Sequence, residues 1–158
     1  MNVVDFINSL DPEEFSTSKT FPTMEQIREA EEKLGVKFAD DYIECLLNYG
    51  KLCMRATTLT GLDGVAETVC SDNGEIIEYA NVVKETLRYR ELECHDHIPA
   101  NMYVIHDLQI DLCLIWQDET GAVYVTLPWN GPQKEADSLV EYLEMTYKED
   151  KELDELFD

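Results

Sequence analysis

The sequence predicts an α+β domain, with helices packed on one face of an antiparallel sheet of about four to six strands. Helical spacing of apolar residues dominates positions 3–50, strand-like alternation dominates 98–129, and a last helical pattern occupies 138–147. Helices followed by a meander of strands indicate an α+β fold, and 158 residues suit a single core. We therefore expect one domain over residues 1–148 and an acidic C-terminal tail over residues 149–158.

A short amphipathic helix over residues 3–10 precedes a helix that begins with good capping chemistry. Thr23 can accept a hydrogen bond from the helix N-terminus, and Gln26, three residues on, can return one. Gly35 suits the left-handed conformation that ends many helices. The apolar stripe between these two ends consists of Ile27, Ala30 and Leu34.

The next segments predict a third helix and then a strand. Either Asp40 or Asp41 can cap the helix N-terminus, where a negative charge also favours the helix dipole. Gly50 is expected to end the helix. Residues 51–59 are rich in β-forming side chains and predict one strand. The apolar face of the helix consists of Tyr42, Cys45, Leu46 and Tyr49.

Glycines interrupt the pattern between residues 60 and 74, which predicts a loop with room for a short strand. The longest helical pattern comes next, over residues 75–90. Its predicted apolar stripe consists of Ile76, Ile77, Ala80, Val83 and Leu87.

Three strands of an antiparallel meander are predicted over residues 102–107, 111–118 and 122–129. Residues 118–121, with the sequence DETG, predict the hairpin turn between the last two strands, and Gly121 suits its left-handed position. Alternation in the middle strand assigns one face to the core, namely Leu112, Leu114 and Trp116.

The closing helix is expected to begin with Ser138 as its cap and Glu141 as the partner in a capping box. The tail that follows it carries mostly charge. Such a composition predicts either a frayed helical extension or disorder.

Acidic residues greatly outnumber basic ones. There are 34 Asp and Glu against 12 Lys and Arg, a formal net charge of −22. This charge disfavours binding to nucleic acid or anionic lipid, since both need clustered Lys and Arg. It would attract a basic protein and speed the encounter with it, although acidity alone equally suits solubility.

The cysteines indicate a reducing compartment. Their number is odd, none forms a CxxC pair, and several lie in apolar runs, which is typical of reduced thiols in the cytosol. The N-terminus lacks the basic and long apolar regions of a secretion signal, so we expect a cytoplasmic protein outside the membrane. The five cysteines are Cys45, Cys53, Cys70, Cys94 and Cys113.

The segment ECHDH, residues 93–97, is the sharpest cluster of chemically active side chains. Cys94, His95, Asp96 and His97 could each bind zinc, but neighbouring loop residues cannot all face one ion and no second ligand pair follows. A catalytic cysteine needs an electropositive environment, which this chain does not supply. We therefore expect no enzyme activity, no metal and no cofactor.

Surface aromatic and acidic residues form the alternative candidates. Trp129 lies among turn residues in PWNGP, and aromatic side chains beside acids make good anchors for a basic protein. Acids near the predicted sheet edge and its loops could surround such an anchor, or could be merely solvated. The candidate acids for such an interface are Asp63, Glu67, Asp72, Glu75, Asp107, Asp111 and Asp118.

The segment TMEQIREAEEKLGVKFADDYIECLLNYG, residues 23–50, resembles the N-terminal signature of the SUKH superfamily, the domain of yeast cell-wall-assembly regulators and many bacterial immunity proteins. Residues 98–124 resemble the family's later strand pair. The sequence departs from the signature at Ala39, where Pro is usual, and at Tyr49-Gly50, where Asn-Gly is usual. The matching positions are Ile27, Ala30, Glu31, Leu34, Gly35, Phe38, Asp41, Tyr42, Leu46 and Gly50.

The resemblance implies a SUKH-like α+β fold and, in bacteria, an immunity protein that binds and blocks a toxin, often a nuclease. Two alternatives stay open. One is a regulatory interaction module like the eukaryotic members, whose partner need not be basic. The other is a small metal-dependent enzyme built around ECHDH, which would bind zinc and lose activity when His95 or His97 becomes Ala.

Overall fold

The structure is a computed structural model that describes residues 1–55, 57–62, 81–95, 97–110 and 112–157, together with the backbone of 68–69 and 76–77. The fold is α+β, as predicted, with five α-helices and antiparallel sheets of three, two and four strands in this part of the chain.

The helices lie on both sides of the strand-rich middle of the sequence. They are α1 (Val3–Asn8), α2 (Met24–Leu34), α3 (Asp40–Tyr49), α4 (Val82–Arg90) and α5 (Leu139–Phe157), with 3₁₀ turns at Pro12–Glu14 and Glu93–His95. The strands are β1 (Phe15–Ser16), β2 (Cys53–Met54), β3 (Thr57–Thr58), β4 (Thr68–Val69), β5 (Ile76–Ile77), β6 (Tyr103–Asp107), β7 (Leu114–Gln117), β8 (Val123–Thr126) and β9 (Gln133–Ala136).

The capping box that begins α2 is confirmed. Gln26 N donates to Thr23 Oγ1 (3.2 Å), and Thr23 N donates to Gln26 Oε1 (2.9 Å). Gly35 ends the helix at φ 67°, in the left-handed conformation that glycine adopts without a Cβ penalty. The predicted stripe of this helix is buried.

The prediction that Asp40 or Asp41 caps α3 is wrong. The cap position is Ala39, without a side-chain hydrogen bond, and both acids lie in the first helical turn. Asp41 instead accepts from the backbone N–H of Leu139 at the start of α5 (2.9 Å). A carboxylate one residue inside the helix still favours the dipole, and this position frees it for a tertiary partner.

Residues 51–59 form a hairpin rather than one strand. Cys53 pairs with Thr58 and Met54 with Thr57, and β1 adds a third strand beside β2. Arg55 occupies the turn at φ 46°. The sequence has no Gly, Asn or Asp signal at this turn. The β-forming residues on either side of it therefore predicted one continuous strand.

The helix predicted over residues 75–90 begins only at Val82, where Asn81 Oδ1 accepts from Lys84 N (2.9 Å). Ile76 and Ile77 form β5 and pair with β4. Short apolar runs fit either a strand or a helix, and β-branched side chains favour the strand. Of the predicted stripe, Val83 is buried, Leu87 is exposed and Ala80 lies outside the described residues.

The main sheet has the order β6–β7–β8–β9. Its first three strands confirm the predicted meander, and the turn at residues 118–121 has Gly121 at φ 100°. The register pairs Leu114 with Thr126 and Trp116 with Tyr124. Strand β9, with the sequence QKEA, was not predicted because its one buried residue, Ala136, gives no apolar alternation.

Both faces of the main sheet are covered. The larger core combines residues of the sheet and of all five helices, and it includes Tyr42, Tyr103, Ile115 and Tyr142. A smaller cluster covers the opposite face, and it consists of Tyr89, Met102, Val104, Leu114 and Trp116. Trp116 is therefore core, as predicted, whereas the prediction for Leu112 is wrong, because this residue precedes β7 and is exposed.

Helix α5 begins as predicted at its cap and then continues through the predicted tail. Ser138 Oγ accepts from Glu141 N (3.2 Å), while the Glu141 carboxylate accepts from the N–H of Asp137 (3.1 Å) instead of Ser138. The helix runs to Phe157, so the described tail is a helical extension. Within the described residues, no helix combines the length and apolar character needed to cross a membrane.

Candidate functional site

The two ends of the main sheet differ in what they expose. We call residues 118–121, the turn from β7 to β8, the closed end. We call residues 108–110, 112–113 and 127–132 the open end; these are the described parts of the β6–β7 and β8–β9 loops. Since Leu114 at the start of β7 pairs with Thr126 at the end of β8, the two loops emerge side by side.

Trp129 is fixed by its backbone and presents its side chain to solvent. Its N–H donates to the carbonyl of Cys94 (2.9 Å), which ties the β8–β9 loop to the second 3₁₀ turn. The residue has φ 68° and its side chain is 71% exposed. An indole held this way offers a large apolar surface with little further conformational entropy to lose on binding.

Positive φ angles concentrate at the open end. Gln109, Leu112 and Trp129 have φ values of 61°, 60° and 68°, and among the described non-glycine residues only Arg55 shares this feature. For bulky side chains this conformation costs about 1–2 kcal/mol each. Such strain clusters at functional sites, so it is an argument for function here.

Apolar side chains at the open end are exposed together. Large hydrophobic residues scattered singly on a surface are ordinary, whereas a group of them on adjacent loops indicates an interaction site. The exposed group consists of Ile110, Leu112, Leu127 and Trp129.

Asp107 places a carboxylate at the open end. It ends β6, is half-buried, and accepts from Tyr89 Oη (2.8 Å) and from Gln109 N (2.8 Å). Burial and then this hydrogen bond raise the pKa of Tyr89 to about 12. Burial and then the charge of Asp107 raise the pKa of Glu85 to about 7. Asp107 therefore acts both as a structural acceptor and as a source of negative potential.

His95 lies directly behind the open end. It is buried, with its ring centroid 6.2 Å from Tyr89 and 6.4 Å from Trp116 in edge-on geometry. Neither ring nitrogen has a well-formed hydrogen bond among the described residues. Burial lowers the pKa of His95, and the Leu112 backbone offsets this only in part. The neutral ring serves as packing beneath the loops.

Of the other predicted interface acids, Asp118 is not solvent-facing. It lies at the closed end and is 8% exposed. Its Oδ1 accepts from Thr120 N (2.9 Å), Thr120 Oγ1 (2.6 Å) and Ala122 N (3.2 Å). The carboxylate therefore organises the turn. Asp63, Glu67, Asp72, Glu75 and Asp111 lie outside the described residues.

A buried hydrogen-bond network supports the closed end. Gln117 Nε2 donates to Asp41 Oδ1 (2.9 Å) and to the carbonyl of Gly121 (3.0 Å). Gln117 Oε1 accepts from Tyr103 Oη (2.8 Å), which in turn accepts from Ala39 N (2.8 Å). These bonds join α3, β6, β7 and the turn, so polar groups at this end are internally satisfied.

The ECHDH segment does not bring its side chains to one point. His95 is buried, His97 is exposed, and Cys94 is half-buried. Within the described part of the chain, which leaves out Asp96, no three His, Cys, Asp or Glu side chains are placed to hold a metal ion. The third histidine, His106, has Nδ1 2.9 Å from Tyr142 Oη, and burial lowers its pKa to about 4.

The signature residues have structural roles. Glu31 Oε2 accepts from Phe38 N (2.9 Å) and so fixes the step between α2 and α3. Tyr42 Oη donates to the carbonyl of Thr60 (3.0 Å), which joins α3 to the chain after β3. At Gly50, with φ 67°, a Cβ would lie 2.9 Å from Ser18. Ile27, Leu34 and Tyr42 are buried.

Of the described residues at the open end, the sequence predicts Trp129 and Asp107 as interface candidates but not Ile110, Leu112 or Leu127. Leu112 and Leu127 lie in predicted strands, and alternation assigned Leu112 to the core. Sequence signals existed for Ile110, which lies between two predicted strands beside Gln109 and Asp111, and for Leu127, which immediately precedes Pro128 and the turn residues around Trp129. Polar neighbours of this kind end a strand and leave the apolar residue outside it.

The fold and the site define a small α+β domain that carries an exposed apolar loop surface beside an acidic group. The family model SUKH_6, described as "SMI1-KNR4 cell-wall", matches residues 24–143, which are 120 of the 158 residues. The chain belongs to this family, and the resemblance noted in its sequence is confirmed. Among curated proteins, no similar sequence was found.

Proposed function

We propose that this protein is an immunity protein, which binds and neutralises a cognate basic protein toxin of the nuclease type through its open end. The observation that carries the proposal is the exposed indole of Trp129. This residue has a positive φ angle and lies beside three other exposed apolar residues. The proposed action is binding alone, without catalysis, metal or cofactor.

The physical properties of the open end support a protein partner. Apolar anchors surrounded by polar groups are typical of the centre of a protein–protein interface, where a few aromatic residues supply most of the binding energy. The loops are anchored by the bond from Trp129 to Cys94 and by the bond from Gln109 to Asp107. This anchoring reduces the entropy lost on association.

The charge supports a basic partner. A net charge of −22 raises the encounter rate with a cationic surface and opposes binding to nucleic acid. Nucleases carry basic clefts for phosphate, and an acidic protein can occupy such a cleft in place of the polyanion. The SUKH membership adds the immunity role that this family has in bacteria.

A survival assay tests the proposal. The proposal predicts that the open reading frame beside this gene encodes the toxin, and that domain would be expressed in cells with the wild-type chain, with Trp129→Ala, or with Phe21→Ala. Phe21 is an exposed aromatic residue on a different segment and serves as the matched control. We expect wild type and Phe21→Ala to protect, while Trp129→Ala weakens toxin binding by at least about tenfold.

A second pair of variants tests the electrostatic part. Asp107→Asn and Asp118→Asn remove the same charge at opposite ends of the sheet. We expect the first to slow association with the toxin domain more than the second, with a difference that shrinks as salt rises. Equal protection by wild type and Trp129→Ala would contradict the proposed site, and absence of protection by wild type would contradict the function.

A regulatory interaction module is the second candidate. The description of the matching family model, "SMI1-KNR4 cell-wall", favours it. Such a module would bind a partner that need not be basic, and the gene would have no toxin neighbour. The protein encoded by the adjacent open reading frame therefore separates the two candidates.

A further inference from the structure

The last turns of α5 carry an apolar stripe that the domain does not cover. Leu153, Leu156 and Phe157 have the spacing i, i+3, i+4, which places them on one helix face. They are 53%, 77% and 86% exposed. We call these three residues the terminal stripe. Six acids and one Lys occupy the rest of the segment EDKELDELFD, residues 149–158.

The terminal stripe continues the buried face of the same helix. Leu139 and Tyr142 are buried at the start of α5, and Leu153 lies fourteen and eleven positions further on, which are four and three helical turns. One face of α5 thus packs on the core first and then extends past it. The outer part of this face is thus an apolar surface that no described residue of the domain covers.

A polar clamp holds the helix where this face emerges. Tyr147 Oη donates to Glu14 Oε2 (2.7 Å), and Lys151 Nζ lies 3.4 Å from the same oxygen. Arg55 at the β2–β3 turn pairs with Asp154 and lies 3.8 Å from Glu14 Oε2. The direction of the helix is therefore set before any partner arrives, which lowers the entropic cost of docking.

We propose that the terminal stripe docks into an apolar groove on another protein whose rim is basic. Glu152 and Glu155 are exposed beside the stripe, and Arg55 and Lys151 already pair with acids of this chain. A Lys- or Arg-rimmed groove matches this arrangement, in the manner of amphipathic helices that bind in grooves. A second copy of this chain would instead bring like charges together.

The terminal stripe and the open end consist of different residues. The docking proposal and the proposed immunity function are therefore tested independently. The probe is a labelled synthetic peptide that carries a helical stripe of Leu flanked by Lys. Its binding to the full chain would be measured by fluorescence anisotropy. The matched peptides replace every Leu by Ala, which keeps the charge, or every Lys by Glu, which keeps the apolar stripe.

The protein variants are Leu153→Ala/Leu156→Ala/Phe157→Ala, Phe157→Ala alone, and Leu47→Ala/Leu87→Ala as the control at exposed positions of α3 and α4. All replaced side chains are exposed, and urea unfolding would verify that stability is unchanged. We expect the triple variant to bind the Leu–Lys peptide at least about tenfold more weakly than wild type, Phe157→Ala to bind about threefold more weakly, and the control to stay within about twofold.

The outcome decides the proposal. Wild type should prefer the Leu–Lys peptide over both matched peptides. Equal binding of the Leu–Lys peptide by wild type and the triple variant would overturn the proposal, since the interaction would then be with the acidic surface in general. A wild-type dimer in sedimentation that the triple variant loses would also overturn it, because a second copy would then cover the stripe.

Discussion

The closed and open ends of the main sheet show two uses of loop residues in one small domain. At the closed end Asp118 and Gln117 are buried, each with several hydrogen bonds, and the positive φ angle belongs to a glycine. At the open end bulky residues occupy positive φ angles and apolar side chains face solvent. An acid in a loop is therefore weak evidence for an interface, whereas exposed apolar groups on an anchored, strained backbone are stronger evidence.

The largest effect is expected from breaking the closed end at Gln117. Replacement of Gln117 by Leu removes the partners of Tyr103 Oη and of the Gly121 carbonyl. We expect the free energy of unfolding, measured with urea, to fall by about 3 kcal/mol, because buried polar groups lose their hydrogen bonds. A loss below about 1 kcal/mol would mean that the network is not important for stability.

A somewhat smaller effect is expected at Asp118. Its change to Ala removes three hydrogen bonds in the turn and should lower the free energy of unfolding by about 2 kcal/mol. The matched change at the open end, Asp107→Ala, removes two hydrogen bonds rather than three, those from Tyr89 Oη and Gln109 N, and should cost less. The reverse order in urea unfolding would contradict the distinction between the ends.

Backbone strain at a positive φ angle should change the free energy of unfolding by about 1 kcal/mol at either end of the sheet. Gly121→Ala places a Cβ at φ 100° and should destabilise the fold by about that amount. At φ 68°, Trp129→Gly should be more stable than Trp129→Ala by a similar amount, because both variants lose the indole and only glycine relieves the strain. Equal stability of the two Trp129 variants would show that the loop relaxes.

The smallest effect on stability is expected from the titration of His95. Burial lowers the pKa of His95 below 6.5 in the folded state, so the unfolded chain takes up the proton first. The stability contributed by the neutral ring is present above pH 6.5 and is lost as the pH falls through the folded pKa. His95→Phe should therefore lose less stability than wild type between pH 7.5 and 5.5, as measured by urea unfolding. Identical losses would show that His95 is not a source of this pH dependence.

The parts of the fold that were predictable from the sequence are those that local chemistry decides. The Thr23–Gln26 capping box and the end of α2 at Gly35 depend only on residues a few positions apart. The assignment of Ile76 and Ile77 to a helix was wrong, because strand pairing with β4 decides their state. Asp41 was misplaced for the same reason, since its partner Leu139 lies 98 positions along the chain.

Residues of the candidate site were predictable only where their sequence neighbours indicate a turn. Trp129 stands among Pro, Asn and Gly, which place it on a turn. Leu112 and Leu127 stand at the ends of apolar runs, so only the three-dimensional end of the sheet separates them from the core. Asp118 shows the opposite error, because its place in a turn suggested solvent exposure while its hydrogen bonds draw it inward.

Strand β9 forms a polar outer edge of the main sheet. Strand edges recruit further chains when they are apolar and flat, and charged side chains prevent this. Lys134 and Glu135 are exposed on β9, and Lys134 pairs with Asp137 just beyond it. The exposed charges on β9 therefore disfavour pairing of this edge with a strand of another chain.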